Sequence, residues 1–419
     1  MEFLTQMGTY GDLVHFRLGT RDAYLINNPE YLNEIFIKQA DRVGRHPVTS
    51  RAATKFIGEA LPMLDGERHR RERSQILQAF NQRRMPSYAA VMRDETLRML
   101  AHWRGKRQVA LDYEMQAVSL RIACRTLFGS DARGQTERII HAMADFQKVM
   151  AFETRNVMPI PDWLPIPHKL RMRRTIETLR GFVGELVASR RDSGDDTEDL
   201  LSMLLAAADA ESACALTNQQ IRDHAIFLVI AGHETTSNLL AWVPYLLDRH
   251  PSVHSRVLQE LEPLQGRPPD FSDLPRMAYL EQVCKETLRL YPSAWMLIKT
   301  ATAELDLGPY KIRPGDSLFL SPFVTHRDPR FHPDPTQFRP ERFAHDAEQR
   351  LPRFAFFPFG GGATACIGQQ FAMATAKIVL GTILQRYRLE CASAQEVKPA
   401  GLVTLRPRQE LQMYIHERT

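Results

Sequence analysis

Cys366 stands in Phe359-Gly360-Gly361-Gly362-Ala363-Thr364-Ala365-Cys366-Ile367-Gly368, a single thiol in a glycine-rich loop that runs into an apolar helical pattern. Glycines let the backbone take positive φ and come close to a flat ligand. A thiolate at the mouth of a helix is stabilised by the helix N-terminus and nearby N–H groups. Such a thiolate can act as a nucleophile, as one of several metal ligands, or as the axial ligand of a haem iron. Three other spacings can do chemistry. Ala231-Gly232-His233-Glu234-Thr235-Thr236 lies inside a long apolar helical pattern, where Gly, an acid and β-branched alcohols are poor helix material. Thr can bond back to a carbonyl one turn earlier and bend the helix, opening a groove. An acid and an alcohol there can relay protons, or the hydroxyls simply satisfy themselves on the backbone. Glu286-Thr287-Leu288-Arg289 puts carboxylate and guanidinium on one helical face, as a solvated pair or, with Arg342 downstream, as a buried one. His69 and Arg73, at i,i+4, can dock anionic groups.

These residues need a scaffold that the rest of the chain describes. At 419 residues, 44% apolar and 25% charged, the chain suits one large globular unit or two lobes that can enclose a sizeable ligand. Residues 13–26 read as two short strands around Gly19-Thr20-Arg21-Asp22, and Pro29 opens a helical pattern. From about 66 to 290 helical periodicity dominates, broken by a proline-rich stretch at 158–167 and an acidic one at 192–199. Beyond 291, short apolar runs between Pro and Gly read as hairpins and loops.

The net charge of +5, spread along the chain, gives nucleic acid no foothold. Five cysteines without a CxxC pair exclude a disulfide framework or zinc finger and suit a reducing compartment. Cys124 and Cys284 fall in apolar helical patterns and read as buried hydrophobes. With no signal-peptide pattern and no eighteen-residue apolar run, a cytoplasmic protein without a membrane span is expected.

Together and in this order, Ala231–Thr236, Glu286–Arg289, Phe338-Arg339-Pro340-Glu341-Arg342-Phe343 and Phe359–Gly368 resemble the haem-thiolate monooxygenases of the cytochrome P-450 superfamily, the soluble bacterial type in particular. The likeness runs from about Tyr10 to Arg406. It implies a mainly α fold with a minor β part in one domain. The large helical lobe would span about 66–290 and 366–385, and the small strand-rich lobe about 10–60, 291–335 and 385–419.

It also implies haem b, with Cys366 as proximal ligand and metal-binding residue. Phe359, Gly360 and Gly368 would flank the cofactor, and His69, Arg73 and Lys299 would grip its propionates. Thr364 stands where a propionate-binding Arg or His is usual. It offers one neutral bond in place of charge-assisted ones. Glu234 and Thr235 would handle protons, while Glu286, Arg289 and Arg342 would form a structural triad. Phe56, Ala231, Trp295, Met296, Leu297, Val403 and Thr404 fall where substrate contacts are expected, although core packing explains each equally well.

The implied reaction inserts one oxygen atom of O2 into a small apolar or amphipathic substrate. The chain carries no dinucleotide fingerprint, so electrons would come from a separate ferredoxin or flavodoxin with its reductase. That acidic partner would meet a basic face near Arg70–Arg73 and Lys377 of a monomer. The rival readings are a peroxide-driven peroxygenase or isomerase, and a haem-binding sensor.

Overall fold

The structure, a computed structural model, describes residues 1–156, 160–193, 199–209 and 216–418. Its axis is one central helix, Asn218–Arg249, of 32 residues. Thr217 starts it with a capping box: its hydroxyl accepts the Gln220 N–H, and the Gln220 side chain accepts the Thr217 N–H. These reciprocal bonds satisfy two of the donors that a helix start leaves open. Between Ile221 and Leu247 most side chains are buried. A helix apolar all round belongs inside a protein, and this one packs against Leu111–Leu127, Gln369–Arg386, Ala278–Leu290 and Pro167–Ser193.

Two apolar cores meet on it. One gathers Trp103, Trp242, Leu280, Val283 and Ile378; the other gathers Phe56, Phe128, Phe146, Phe182 and Leu201. Cys124 and Cys284 are buried in them, and burial pushes both thiols up to about 12. They are inert fillers, as their helical settings suggest.

The β part is small. A five-stranded sheet runs in the order Leu13–Leu18, Arg21–Ile26, Ser317–Leu320, Leu297–Ala301, Val43–Arg45. Its first hairpin pairs Leu18 with Arg21 across Gly19-Thr20, with Gly19 at φ +61°. A two-residue hairpin of this kind needs a residue that tolerates positive φ. At its far edge Arg45 lies directly opposite Lys299. A second hairpin, Leu305–Leu307 with Tyr310–Ile312, falls in the stretch read as hairpins.

Two elements depart from the sequence pattern. Pro47–Ile57, in the stretch taken as strand-rich, is a helix that packs on Thr136–Arg155 and the central helix. Gln108–Ala110, inside the helical stretch, is a strand paired with Gln412–Glu417. Three-residue strands and helices held by tertiary burial leave little periodicity to read. Of the proline-rich stretch, 157–159 lie outside the described residues, as do 194–198 of the acidic one and Cys214.

Candidate active site

The cysteine loop is built by packing from behind. A Cβ at Gly361 would collide with Phe354 and Phe36, and one at Gly362, at φ +62°, with the Phe36 carbonyl. These two glycines therefore let the loop seat closely on Phe354 and on the neighbouring helical segment Glu34–Lys38, with Gly362 in the positive-φ region that its type permits. Gly360, at φ +71°, and Gly368 have no such obstruction: their nearest neighbours are Leu297 and Phe80, each at 3.9 Å. Phe359 accepts the Cys366 N–H at 2.9 Å, closing the loop, and Gly368 caps helix Gln369–Arg386.

The Cys366 thiol is exposed in this frame while Cys124 and Cys284 are buried. The loop walls desolvate it and raise its pKa; the Gly368 N–H and the Arg73 charge pull the other way. A bound metal cation would shift that balance to the thiolate outright.

The loop's approach is fixed by an ionic knot. Glu286 and Arg289 are fully buried and pair bidentately at 2.7 and 2.8 Å. Arg289 also donates to the carbonyls of His326, Pro335 and Gln337, and Glu286 accepts the Arg339 N–H. Arg342 completes it, with Nε 3.4 Å from Glu286 and Nη2 donating to Asp334 O. Arg342 Nε makes no aligned hydrogen bond, so its share is mainly coulombic. A solvated pair is therefore excluded. His326, which no sequence pattern announced, carries the knot onward by accepting the Phe357 N–H at 2.9 Å.

Four basic side chains, Arg73, His69, Lys299 and Arg45, lie near one another, and the first of them reaches the cysteine loop. Arg73 donates to Ala365 O at 2.7 Å. Burial, then Arg73, then Lys299 and Arg45 depress the His69 imidazolium, while Asp65 opposes them. Burial also depresses Lys299, with Arg45 adding to it and Asp65 opposing. Arg45, missed in the sequence, pairs with Asp65 through Nη2, but its Nη1 is buried without a partner. Like charges directly opposite across strands destabilise a sheet. Thr364 spends its hydroxyl on Gly361 O at 3.4 Å and adds no charge here.

On the central helix, Phe227, Ile230, Ala231, Gly232 and Thr235 are half-buried in an otherwise buried run. Their i, i+3/i+4 spacing places them on one face. Thr235 donates to Ala231 O at 2.7 Å, and its own carbonyl accepts the Ser293 hydroxyl at 2.8 Å. Glu234 turns elsewhere. It is 4% exposed and accepts the Thr404 hydroxyl at 3.1 Å. Burial raises its pKa, while Arg406, Thr404 and Gln147 lower it. The acid and alcohol are thus neighbours in sequence without bonding each other.

Of the expected substrate contacts, Phe56 is 1% exposed and stacks edge-on against Phe146, which makes it core. Trp295 bonds Leu402 O at 2.9 Å, and Met296 packs on a small apolar cluster. Leu297 reaches Gly360, and Val403 is exposed. Lys377 is not on a docking face. It is buried and bonded to Leu274 O and Glu281.

The cytochrome P450 family model matches residues 2–413. Cyclooctat-9-en-7-ol 5-monooxygenase of Streptomyces melanosporofaciens is 34% identical, covering 93% of this chain and 85% of that protein. Cyclooctatin synthase of the same organism is 31% identical, over 97% and 89%. Pentalenene oxygenase of Streptomyces avermitilis is 30% identical, over 100% and 93%. A family match over nearly the whole chain, on a helical body with small sheets, makes this chain a member of the cytochrome P450 family and a haem-dependent monooxygenase.

Proposed function

We propose that Cys366 is the proximal thiolate ligand of haem b and that the substrate is a cyclic alkene or alkenol of the terpenoid kind. The exposed thiol, in a loop bonded to Arg73 with His69, Lys299 and Arg45 close by, carries the first half. The donor set fits: one soft anion-forming ligand for iron, and a cationic cluster whose buried Arg45 Nη1 lacks a partner for two propionates. The relatives' names, which carry cyclooctat-9-en-7-ol and pentalenene, support the second half.

When bound, the haem supplies O2 activation, and the thiolate's electron donation favours O–O cleavage. The chain's own residues do the rest. Gly368 N–H and Arg73 favour the thiolate, and Phe359 and Gly360 hold its loop. His69, Arg73, Lys299 and Arg45 bind the carboxylates, with Thr364 limited to a neutral bond. Glu286, Arg289 and Arg342 keep the approach rigid. Glu234, biased to the neutral acid by burial, holds a proton. The Thr235 hydroxyl, its hydrogen committed to Ala231 O, offers an acceptor at the half-buried face. Phe227, Ile230, Ala231 and Leu297 provide apolar wall.

Electrons come from a separate acidic ferredoxin or flavodoxin with its reductase, docking where Arg70, Arg71 and Arg83 are exposed. No helix among the described residues is long and apolar enough to cross a membrane, and we infer a cytoplasmic monomer.

Ferric protein titrated with cyclic alkenes and their alcohols should show a low-to-high spin shift, and the reduced carbon monoxide complex should carry the thiolate signature, lost in Cys366→Ser. A normal signature in Cys366→Ser would overturn the ligand assignment. Spin shifts with linear fatty acids and none with cyclic alkenes would overturn the substrate class.

A further inference from the structure

Gln147 sits in the middle of helix Thr136–Arg155, with Ile140, Met143, Phe146 and Met150 around it, and is 0% exposed. A buried amide must find partners or destabilise the fold, and these partners lead to the acid of the site. Its Oε1 accepts the N–H groups of Val403 at 2.9 Å and Thr404 at 3.3 Å. Backbone N–H groups only donate, so they identify that end of the amide as oxygen, and the other end is a donor. Nε2 donates to Thr404 Oγ1 at 3.1 Å, and Thr404 Oγ1 donates to Glu234 Oε1 at 3.1 Å.

The turn that carries Thr404 is held from its other side by Trp295, bonded to Leu402 O, and by Leu405 N–H, bonded to Ser293 O. Ser293 in turn bonds Thr235 O. The side-chain donors therefore run from Gln147 on the wall helix through Thr404 in the turn to Glu234 on the central helix, while the turn's backbone N–H groups donate back to the wall helix.

We propose that Gln147 is a positioning residue for Glu234: by fixing the Thr404 hydroxyl as a donor, it makes Glu234 Oε1 an acceptor and confines the acid's proton to Oε2. A hydroxyl has one hydrogen, and the Nε2 donor forces it toward Glu234. A proton on Oε1 would face that hydrogen, so only Oε2 can carry it. The charged group facing Glu234 is Arg406, on strand Leu405–Pro407; His233 beside it on the central helix stays neutral. Gln147 thereby links the position of the wall helix to the direction in which the acid delivers its proton. The functional half of this rests on the reading of Glu234 as proton carrier.

The test uses the haem-loaded ferric protein. The infrared C=O stretch of protonated Glu234, assigned by its loss in Glu234→Gln, is followed as pH is varied in Gln147→Met, Thr404→Val and Thr404→Ser. Gln147→Met and Thr404→Val should move the band and raise its titration midpoint by roughly one pH unit, the loss of about one hydrogen bond to the carboxylate. Thr404→Ser, which keeps the hydroxyl, should return the band toward the parent position. In turnover, both disruptive variants should lower kcat about tenfold and shift its pH profile, with KM little changed. An unmoved band and profile in Thr404→Val and Gln147→Met, or a change in KM alone, would overturn the proposal. Should Gln147→Met fail to fold, Thr404→Val removes the hydroxyl between the amide and Glu234 while leaving the direct influence of Gln147 on the acid. The infrared arm needs no turnover, so an intact rate in Glu234→Gln separately overturns the reading of Glu234 as proton carrier.

Discussion

Arg45 and Lys299 face each other across two strands; burial disfavours the Lys299 charge, and Arg45, paired with Asp65 through Nη2, keeps a buried Nη1 with nothing to bind. Asp65 supplies part of the countercharge, pairing with Arg45 and raising the Lys299 pKa, and on the proposed haem assignment a propionate would supply the rest. Arg45→Gln should therefore speed haem loss to an apo-myoglobin acceptor by roughly ten- to a hundredfold, the worth of one charge-assisted bond. Thr364→Arg, which restores a cation at the loop, should slow it. Equal haem-loss rates in parent and Arg45→Gln would show that Asp65 alone occupies this arginine.

Two elements bear on stability. The Glu286–Arg289 knot is buried on helix Ala278–Leu290, so Glu286→Gln leaves a guanidinium in the core with its countercharge gone. That should cost about 3–5 kcal/mol in urea unfolding and loosen the cysteine loop, whereas breaking an exposed, solvent-screened pair such as Lys311–Glu304 should leave the unfolding midpoint nearly unchanged.

On the central helix, His233 is buried with both ring nitrogens unpartnered, and burial pushes its pKa down to about 4. The native state keeps it neutral while the unfolded chain binds a proton below the ordinary value of 6.5, so stability falls as pH drops from 6.5 toward 4. At pH ~5 the loss should be about 2 kcal/mol relative to pH ~7. His233→Phe should flatten that slope in paired urea titrations; an unchanged slope would mean that the ring is protonated in the native state.

For the whole molecule, the charge that matters to a partner is the exposed part. Arg70, Arg71 and Arg83 are exposed on and just beyond helix Gly66–Leu77, the helix whose Arg73 touches the cysteine loop. An acidic electron donor docking there would be steered by long-range attraction. Its reduction rate should fall at least about tenfold between roughly 10 mM and 0.5 M salt. The double variant Arg70→Glu/Arg83→Glu should weaken that dependence in stopped-flow measurements. Lys377→Gln acts differently: because this lysine holds Glu281 and Leu274 O, it should lower the thermal midpoint without changing the salt slope.

The sequence by itself determined the elements whose chemistry is local. The long apolar helix, the Glu286–Arg289 spacing, the hairpin at Gly19 and the loop that ends in Cys366 can all be read because their residues lie within a few positions of one another. Only the tertiary structure decided what meets across the chain. Arg45 finds Lys299, Gln147 finds Thr404 and Glu234, His326 finds Phe357, and Lys377 turns inward. Such contacts leave no periodicity, since each partner answers to its own element's burial. The tertiary structure also divided the loop's glycines. Gly361 and Gly362 make room for Phe36 and Phe354, which no local pattern places there, while Gly360 and Gly368 stay clear beside the thiol because nothing behind them needs the space.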